Sequence, residues 1–109
     1  MRKELGKIIS VRCGLGGYQD AQIGIGFTLG GDGWGVGTGF KGAWATKHSD
    51  SCKWTEQDRI ESLGHAFMYL RELLKDAKVN DVTELVGIPV EVTFDGNQLL
   101  EWRILKEVL

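Results

Sequence analysis

Proline, cysteine and long apolar runs are scarce in this sequence. Its 109 residues include 1 proline and 2 cysteines, and glycine does not recur at every third position as it does in collagen. Those counts exclude a collagen-like chain and argue against a disulfide framework. No apolar run reaches the roughly 18 residues of a membrane-spanning helix, and none follows the basic start Met1-Arg2-Lys3. We therefore expect no membrane association, no signal peptide and a cytoplasmic protein.

The net charge is also small. The chain carries 13 lysines and arginines against 15 aspartates and glutamates, for a formal charge of −2. Such a balance provides no overall field to attract nucleic acid. The hydrophobic share of 42% and the charged share of 26% are typical of a globular protein. At this length we predict a single domain, 1–109.

Glycine, in contrast, is abundant. The chain has 16 glycines, whereas average usage would give about 8. Of these, 12 lie between Gly14 and Gly42.

Three extended segments are predicted around these glycines. Residues 7–13 alternate in hydrophobicity, and residues 20–29 place five apolar side chains on one parity. Residues 33–40 place glycine at every second position, with bulky residues between. If the second and third segments lie in one sheet with matching faces, one face is nearly bare of side chains.

A polar connection, 41–53, leads to a predicted helix of about 20 residues. Thr55 is a favourable N-cap, and acidic residues follow it in the first turn. After a short helical turn opened by Asp81, a strand from Pro89 and a returning strand are joined by Asp95-Gly96, a typical hairpin turn. The helix carries one apolar stripe, which consists of Ile60, Leu63, Phe67, Leu70, Leu74 and Ala77.

The predicted order is therefore β-β-β-α-(short α)-β-β. Strands grouped on both sides of one helix indicate an α+β fold. We predict a mainly antiparallel sheet of about five strands, with one long amphipathic helix packed on one face.

Three occupants are possible for the bare glycine face. The protein's own side chains, such as Trp54, Phe67 or Met68, could pack there, which is the usual role of glycine within strands. A second copy of the chain could cover it, or a ligand could approach the backbone. The sequence leaves these alternatives open.

Motifs for catalysis or cofactor binding are weak. Gly37-Thr-Gly-Phe-Lys-Gly42 matches a phosphate-binding pattern, but no helix follows it directly. The soft metal ligands Cys13, His48, Cys52 and His65 form only a weak candidate zinc site, because they include no C-x-x-C pair. No nucleophile motif is present either. We expect neither an enzyme nor a cofactor.

Aromatic and basic residues near the polar connection form the candidate binding site. Stacking surfaces beside positive charge hold nucleotides or single-stranded nucleic acid, and tryptophan is also common where proteins bind proteins. The candidate residues are Tyr18, Lys41, Trp44, Lys47, His48, Lys53 and Trp54.

Most of the chain resembles a group of small proteins encoded by tailed phages and prophages. The segments that carry the resemblance are GGYQDAQIGIGFTLGGDGWGV (16–36), KWTEQDR (53–59), PVEVTFDGN (89–97) and WRIL (102–105). The group has no established activity, so the resemblance assigns no site residue. It implies a phage gene product acting in the bacterial cytoplasm, where many such proteins act by occupying a partner.

We therefore expect a non-enzymatic phage protein that binds a host protein, as an accessory or counter-defence factor. We also expect a homo-oligomer, most simply a dimer. One alternative is a protein that sequesters a nucleotide-type ligand between glycine backbone, aromatic rings and lysines. Another is an accessory protein that binds single-stranded nucleic acid.

Overall fold

A computed structural model describes residues 1–46 and 52–109 of the chain. Within them, one helix packs on an antiparallel sheet of six strands, which confirms the predicted α+β fold. No helix among these residues is both long and apolar enough to cross a membrane. The elements are β1 (Arg2–Gly16), β2 (Gln22–Gly31), β3 (Trp34–Gly37), β4 (Lys41–Trp44), α1 (Glu56–Ala77), β5 (Pro89–Asp95) and β6 (Gln98–Ile104), with short 3-10 turns at Tyr18–Asp20, Val82–Leu85 and Lys106–Val108.

The strand order is β3-β2-β1-β5-β6, and β4 pairs with the same edge of β2 as β3 does. The predicted third segment, 33–40, is therefore wrong beyond Gly37, and the polar connection begins with a strand. The polar composition of residues 41–53 concealed β4, because only Ala43 among its four residues is buried. Residues 38–40 separate the two short strands.

The sheet curves strongly. The first half of β1 pairs with β5 and the second half with β2, and the β1–β2 ladder shifts its register at Ile9. Such a bulge bends a strand and increases its twist. As a result the β5–β6 hairpin folds towards β2 and β3: Trp102 lies 5.5 Å from Phe27 between ring centroids, and Phe94 lies 5.4 Å from Trp34.

Helix α1 begins as predicted at Thr55. The Thr55 hydroxyl accepts a hydrogen bond from the Asp58 N–H, and the Asp58 carboxylate accepts one from the Thr55 N–H. These two bonds satisfy donors that the first turn leaves free. Arg59 then ties the helix to β4, because its Nη1 donates to the Trp44 carbonyl at 3.2 Å.

The predicted apolar stripe of α1 is confirmed for four of its six residues: Ala77 is buried, and Leu63, Leu70 and Leu74 are half-buried. The buried helix residues are Ala66, Leu73 and Ala77, whereas Ile60 is 53% exposed and Phe67 is 71% exposed. Ala66 faces the sheet and is buried, whereas Phe67, the next residue of the helix, projects outward. The fully buried core residues are Ile8, Leu29, Leu85, Val90 and Val92.

The glycine face lies on the side of the sheet opposite to α1. Leu29 pairs with Val36 and Gly30 with Gly35, so the predicted matching of parity is confirmed. Phe67 and Met68 do not fill this face, because both are more than half exposed on the helix. Instead, Phe40 packs against the backbone of the face, where a Cβ on Gly16 or Gly26 would touch its ring.

Candidate functional site

A cleft of about 510 Å³ separates the two free edges of the sheet. One wall is the segment from Val36 to Lys41, and the other is the segment from Gln98 to Trp102. Tyr69 of α1 forms the floor between them. The curvature of the sheet creates this edge cleft, because it brings β6 towards β3 and β4 over the helix.

The break between β3 and β4 shapes one wall. Thr38 N–H donates to the Phe27 carbonyl at 2.9 Å, and the Thr38 hydroxyl accepts from the Phe27 N–H at 3.0 Å. The side chain thus takes over a bond that a strand carbonyl would normally make. The backbone can then leave the ladder through Gly39, whose φ is 40°.

The edge of β3 exposes unpaired backbone groups. Hydrogen-bonded pairs alternate along an antiparallel ladder. Because Thr38 bonds to Phe27, the backbone groups of Val36 also point to β2. Those of Gly35 and Gly37 therefore point away from β2, along the free edge.

Gly35 and Gly37 have no internal reason to be glycine. Neither has a positive φ. Among residues 1–46 and 52–109, a Cβ on Gly37 would meet no atom within 4 Å, and one on Gly35 would meet only the Leu29 carbonyl at 3.8 Å. Gly24 and Gly42 differ, because a Cβ on either would collide with the backbone of the opposite strand. Internal packing thus explains the Gly24–Gly42 pair but leaves Gly35 and Gly37 unexplained.

The two strand edges that border the cleft also differ in how well they are protected against pairing with another chain. Exposed edges normally carry charged residues or proline, which prevent pairing with another chain. On β6, Arg103 donates to Glu91 at 3.1 Å and to Glu107 at 2.9 Å. The sequence of β3, Trp34–Gly37, has neither a charge nor a proline. Its edge is the unprotected one.

The floor of the edge cleft is aromatic and half-buried. Tyr69 lies edge-on to Phe27, with 6.5 Å between ring centroids. Burial raises the pKa of Tyr69 to about 12, and a hydrogen bond with the Trp102 side chain opposes that rise. Lys41 Nζ lies 4.9 Å from the centroid of the Tyr69 ring. A cation so placed is attracted to the face of the ring.

The predicted binding residues do not form one cluster. Lys41 lies in the edge cleft, but Trp44 lies on the opposite face of β4, since side chains alternate along a strand. Tyr18 is 73% exposed in the turn between β1 and β2. Lys53 and the half-buried Trp54 immediately precede α1, while Lys47 and His48 lie outside the described residues.

The weak zinc candidate gains no support from the residues that are described. No three histidine, cysteine or acidic side chains among residues 1–46 and 52–109 could hold a metal together. Cys13 lies beside Leu63 and Phe67, whereas His65 lies beside Lys41 and Gly42, on the other side of the helix. Cys52 is half-buried ahead of α1, and His48 falls outside the described residues. The pattern Gly37–Gly42 runs from β3 into β4, so it lacks the helix that a phosphate cradle requires.

Sequence reasoning missed Tyr69 and Trp102. Tyr69 lies beside the predicted apolar stripe of α1, and Trp102 follows the alternation of a plain strand. Their meeting depends on how the helix and the curved sheet pack together, which the local sequence pattern does not reveal.

A second feature is an apolar groove of about 240 Å³ between α1 and the β1–β2 hairpin. Its walls are Cys13, Ile23 and Ile25 on the sheet, and Leu63, Phe67 and their neighbours on the helix. Phe67 and Leu15 are 71% and 54% exposed close by. The helix thus leaves part of the apolar face of the sheet uncovered.

The chain matches no family model, no curated protein and no solved structure. The similarity to phage proteins stays a prediction.

Proposed function

We propose that this protein binds a partner protein by accepting an extended segment of the partner along the edge of β3, within the edge cleft. In this mode of recognition, backbone hydrogen bonds supply affinity and nearby pockets supply specificity. The observation that carries the proposal is the pair Gly35 and Gly37, which expose backbone groups and have no internal requirement for glycine. If the resemblance to phage proteins holds, the partner is a protein of the bacterial host.

The surroundings of the β3 edge favour an extended segment over a second folded sheet. Leu99 and Trp102 of β6 stand on the far side of the cleft. A single strand can enter between the two walls, whereas a whole second sheet would collide with β6. The apolar side chains of Val36 and Leu99 can receive alternate side chains of the incoming segment.

The test compares two substitutions at one residue. Gly37→Pro removes an N–H that points away from β2, a position where an edge strand tolerates proline. Gly37→Ala keeps that N–H and adds a side chain in open space. The proteins captured from bacterial lysate by the unaltered chain should be retained by the alanine variant and lost by the proline variant. Equal retention by both variants would refute pairing at this edge.

A nucleotide-type ligand is the second candidate for the edge cleft. The cleft combines glycine backbone at Gly37 and Gly39, aromatic rings at Tyr69 and Trp102, and the cation of Lys41. That combination is the one expected for a sequestering protein. A thermal shift with cyclic or ADP-ribose-type nucleotides, lost in Tyr69→Ala, would favour it over the binding of a protein segment. Single-stranded nucleic acid is less well supported, because Lys41 is the one basic side chain among the described residues that line the cleft.

We further propose that the apolar groove forms a symmetric dimer. The same surface holds a projecting ring, Phe67, and a cavity beside it. A two-fold axis would place the ring of each copy in the groove of the other, as an isologous contact requires. This arrangement leaves the edge cleft open on the other side of the helix.

A further inference from the structure

The hydroxyl group of Tyr69 has an unused hydrogen-bond donor. The Trp102 side chain lowers the pKa of the Tyr69 phenol, and an indole N–H can only donate a hydrogen bond. The Tyr69 O–H therefore remains available, and no described residue accepts a hydrogen bond from it. Because burial holds its pKa at about 12, the phenol keeps its proton at neutral pH.

The ammonium group of Lys41 has no carboxylate partner among the described residues. All of their ion pairs involve other cations, including Lys3 with Glu91. Glu101 lines the same cleft, but it neighbours Trp102 on β6 and so points to the opposite face of that strand. His65 lies beside Lys41 on the helix and adds no negative charge.

We infer that Lys41, in one wall of the edge cleft, and Tyr69, in its floor, form a carboxylate-binding subsite. A carboxylate can accept from an ammonium and from a hydroxyl at once, and such charge-assisted bonds are the strong ones. The inference deepens the proposed function, on which it rests for the source of the carboxylate: an acidic side chain or the C-terminus of the bound segment. One cation and one neutral donor suit a single negative charge better than a phosphate monoester.

The subsite can be tested with small probes that cannot pair as strands. N-acetylglutamate N-methylamide offers a side-chain carboxylate, N-acetylalanine offers a terminal one, and N-acetylglutamine N-methylamide is the uncharged control. Adenosine monophosphate represents the phosphate alternative. Binding is followed by the NMR signal of the Trp102 indole N–H, assigned through Trp102→Phe.

At least one carboxylate probe should shift the Trp102 signal in a saturable way, and the glutamine probe should not. Which of the two binds more tightly identifies the source. Lys41→Gln should weaken the binding roughly tenfold or more, the loss expected for a charge-assisted bond. Tyr69→Phe should weaken the binding less. Lys75→Gln is the control, because Lys75 is an exposed lysine of α1 that does not line the edge cleft, and it should leave the binding unchanged.

Equal binding of the glutamine probe, equal effects of Lys41→Gln and Lys75→Gln, or tighter binding of adenosine monophosphate would each overturn the carboxylate assignment. These outcomes are independent of strand pairing. If the carboxylate probes bind but Gly37→Pro does not affect partner capture, the proposed strand pairing is refuted and the carboxylate subsite is supported. If Gly37→Pro abolishes partner capture but no carboxylate probe binds, the strand pairing is supported and the carboxylate subsite is refuted.

Discussion

Thr38 and Phe27 exchange two hydrogen bonds, although only one of them joins backbone to backbone. Thr38 N–H donates to the Phe27 carbonyl at 2.9 Å, and the Thr38 hydroxyl accepts from the Phe27 N–H at 3.0 Å. The same hydroxyl donates to the Gly39 carbonyl at 3.1 Å. One side chain thus ends β3 without leaving an orphaned donor on β2, and the wall of the edge cleft depends on it.

Thr38→Val should lower the free energy of unfolding by about 1–3 kcal/mol, because it leaves the Phe27 N–H without a partner in a partly buried site. Valine nearly matches threonine in shape, so packing changes little. Thr38→Ser keeps the hydroxyl and should lose less than half as much. Urea unfolding followed by tryptophan fluorescence measures both. Equal losses of unfolding free energy in the two variants would mean that the Thr38 hydroxyl does not stabilise the end of β3.

The glycines of the sheet should differ sharply in what they tolerate. Gly37→Ala should leave the free energy of unfolding unchanged or raise it by about 0.4–1 kcal/mol, because alanine restricts the unfolded chain and fits the open space. Gly24→Ala should lower it by about 1–3 kcal/mol or more, because the new Cβ would overlap the Lys41 backbone. Thermal unfolding of the two variants provides the comparison. A large loss in Gly37→Ala would show that folding itself requires that glycine.

Local pattern predicted those parts of the fold that local physics determines. Thr55 caps the helix as expected, since an N-cap is a short-range interaction. The parity of the glycines in β2 and β3 follows from the period of a strand. By contrast, the outward position of Phe67 depends on how a curved sheet meets the helix.

The candidate site was predicted less well than the fold. Lys41 was identified from its charge among aromatic residues, but Tyr69 reaches it from α1 and Trp102 lines the same cleft from β6, both far from Lys41 in the sequence. Trp44, chosen for the same reason as Lys41, lies on the other face of the strand they share. Proximity in the sequence therefore could not show which of these residues lie in the edge cleft and which lie on the opposite face of the sheet.

Tyr69 should make the protein sensitive to alkaline pH. Burial raises its pKa from 10.0 to about 12 in the folded chain, so between these values the unfolded state loses a proton that the folded state keeps. Its contribution to stability is complete below about pH 10 and is lost as the pH rises towards 12. Tyr69→Phe should show a smaller fall in the free energy of unfolding over that interval. Parallel curves for the two proteins would show that Tyr69 is not the group responsible.

Phe67 should control self-association. Burying one phenylalanine side chain in each copy contributes about 1.5–3 kcal/mol per ring, so a symmetric pair contributes about 3 kcal/mol or more. Phe67→Ser should therefore raise the dimer Kd at least about a hundredfold, as measured by sedimentation or light scattering over a range of concentrations. Met68→Ser is the matched control, because Met68 is 56% exposed on the same helix and does not line the apolar groove. A monomeric unaltered protein, or equal dissociation of the two variants, would exclude the groove as the dimer contact.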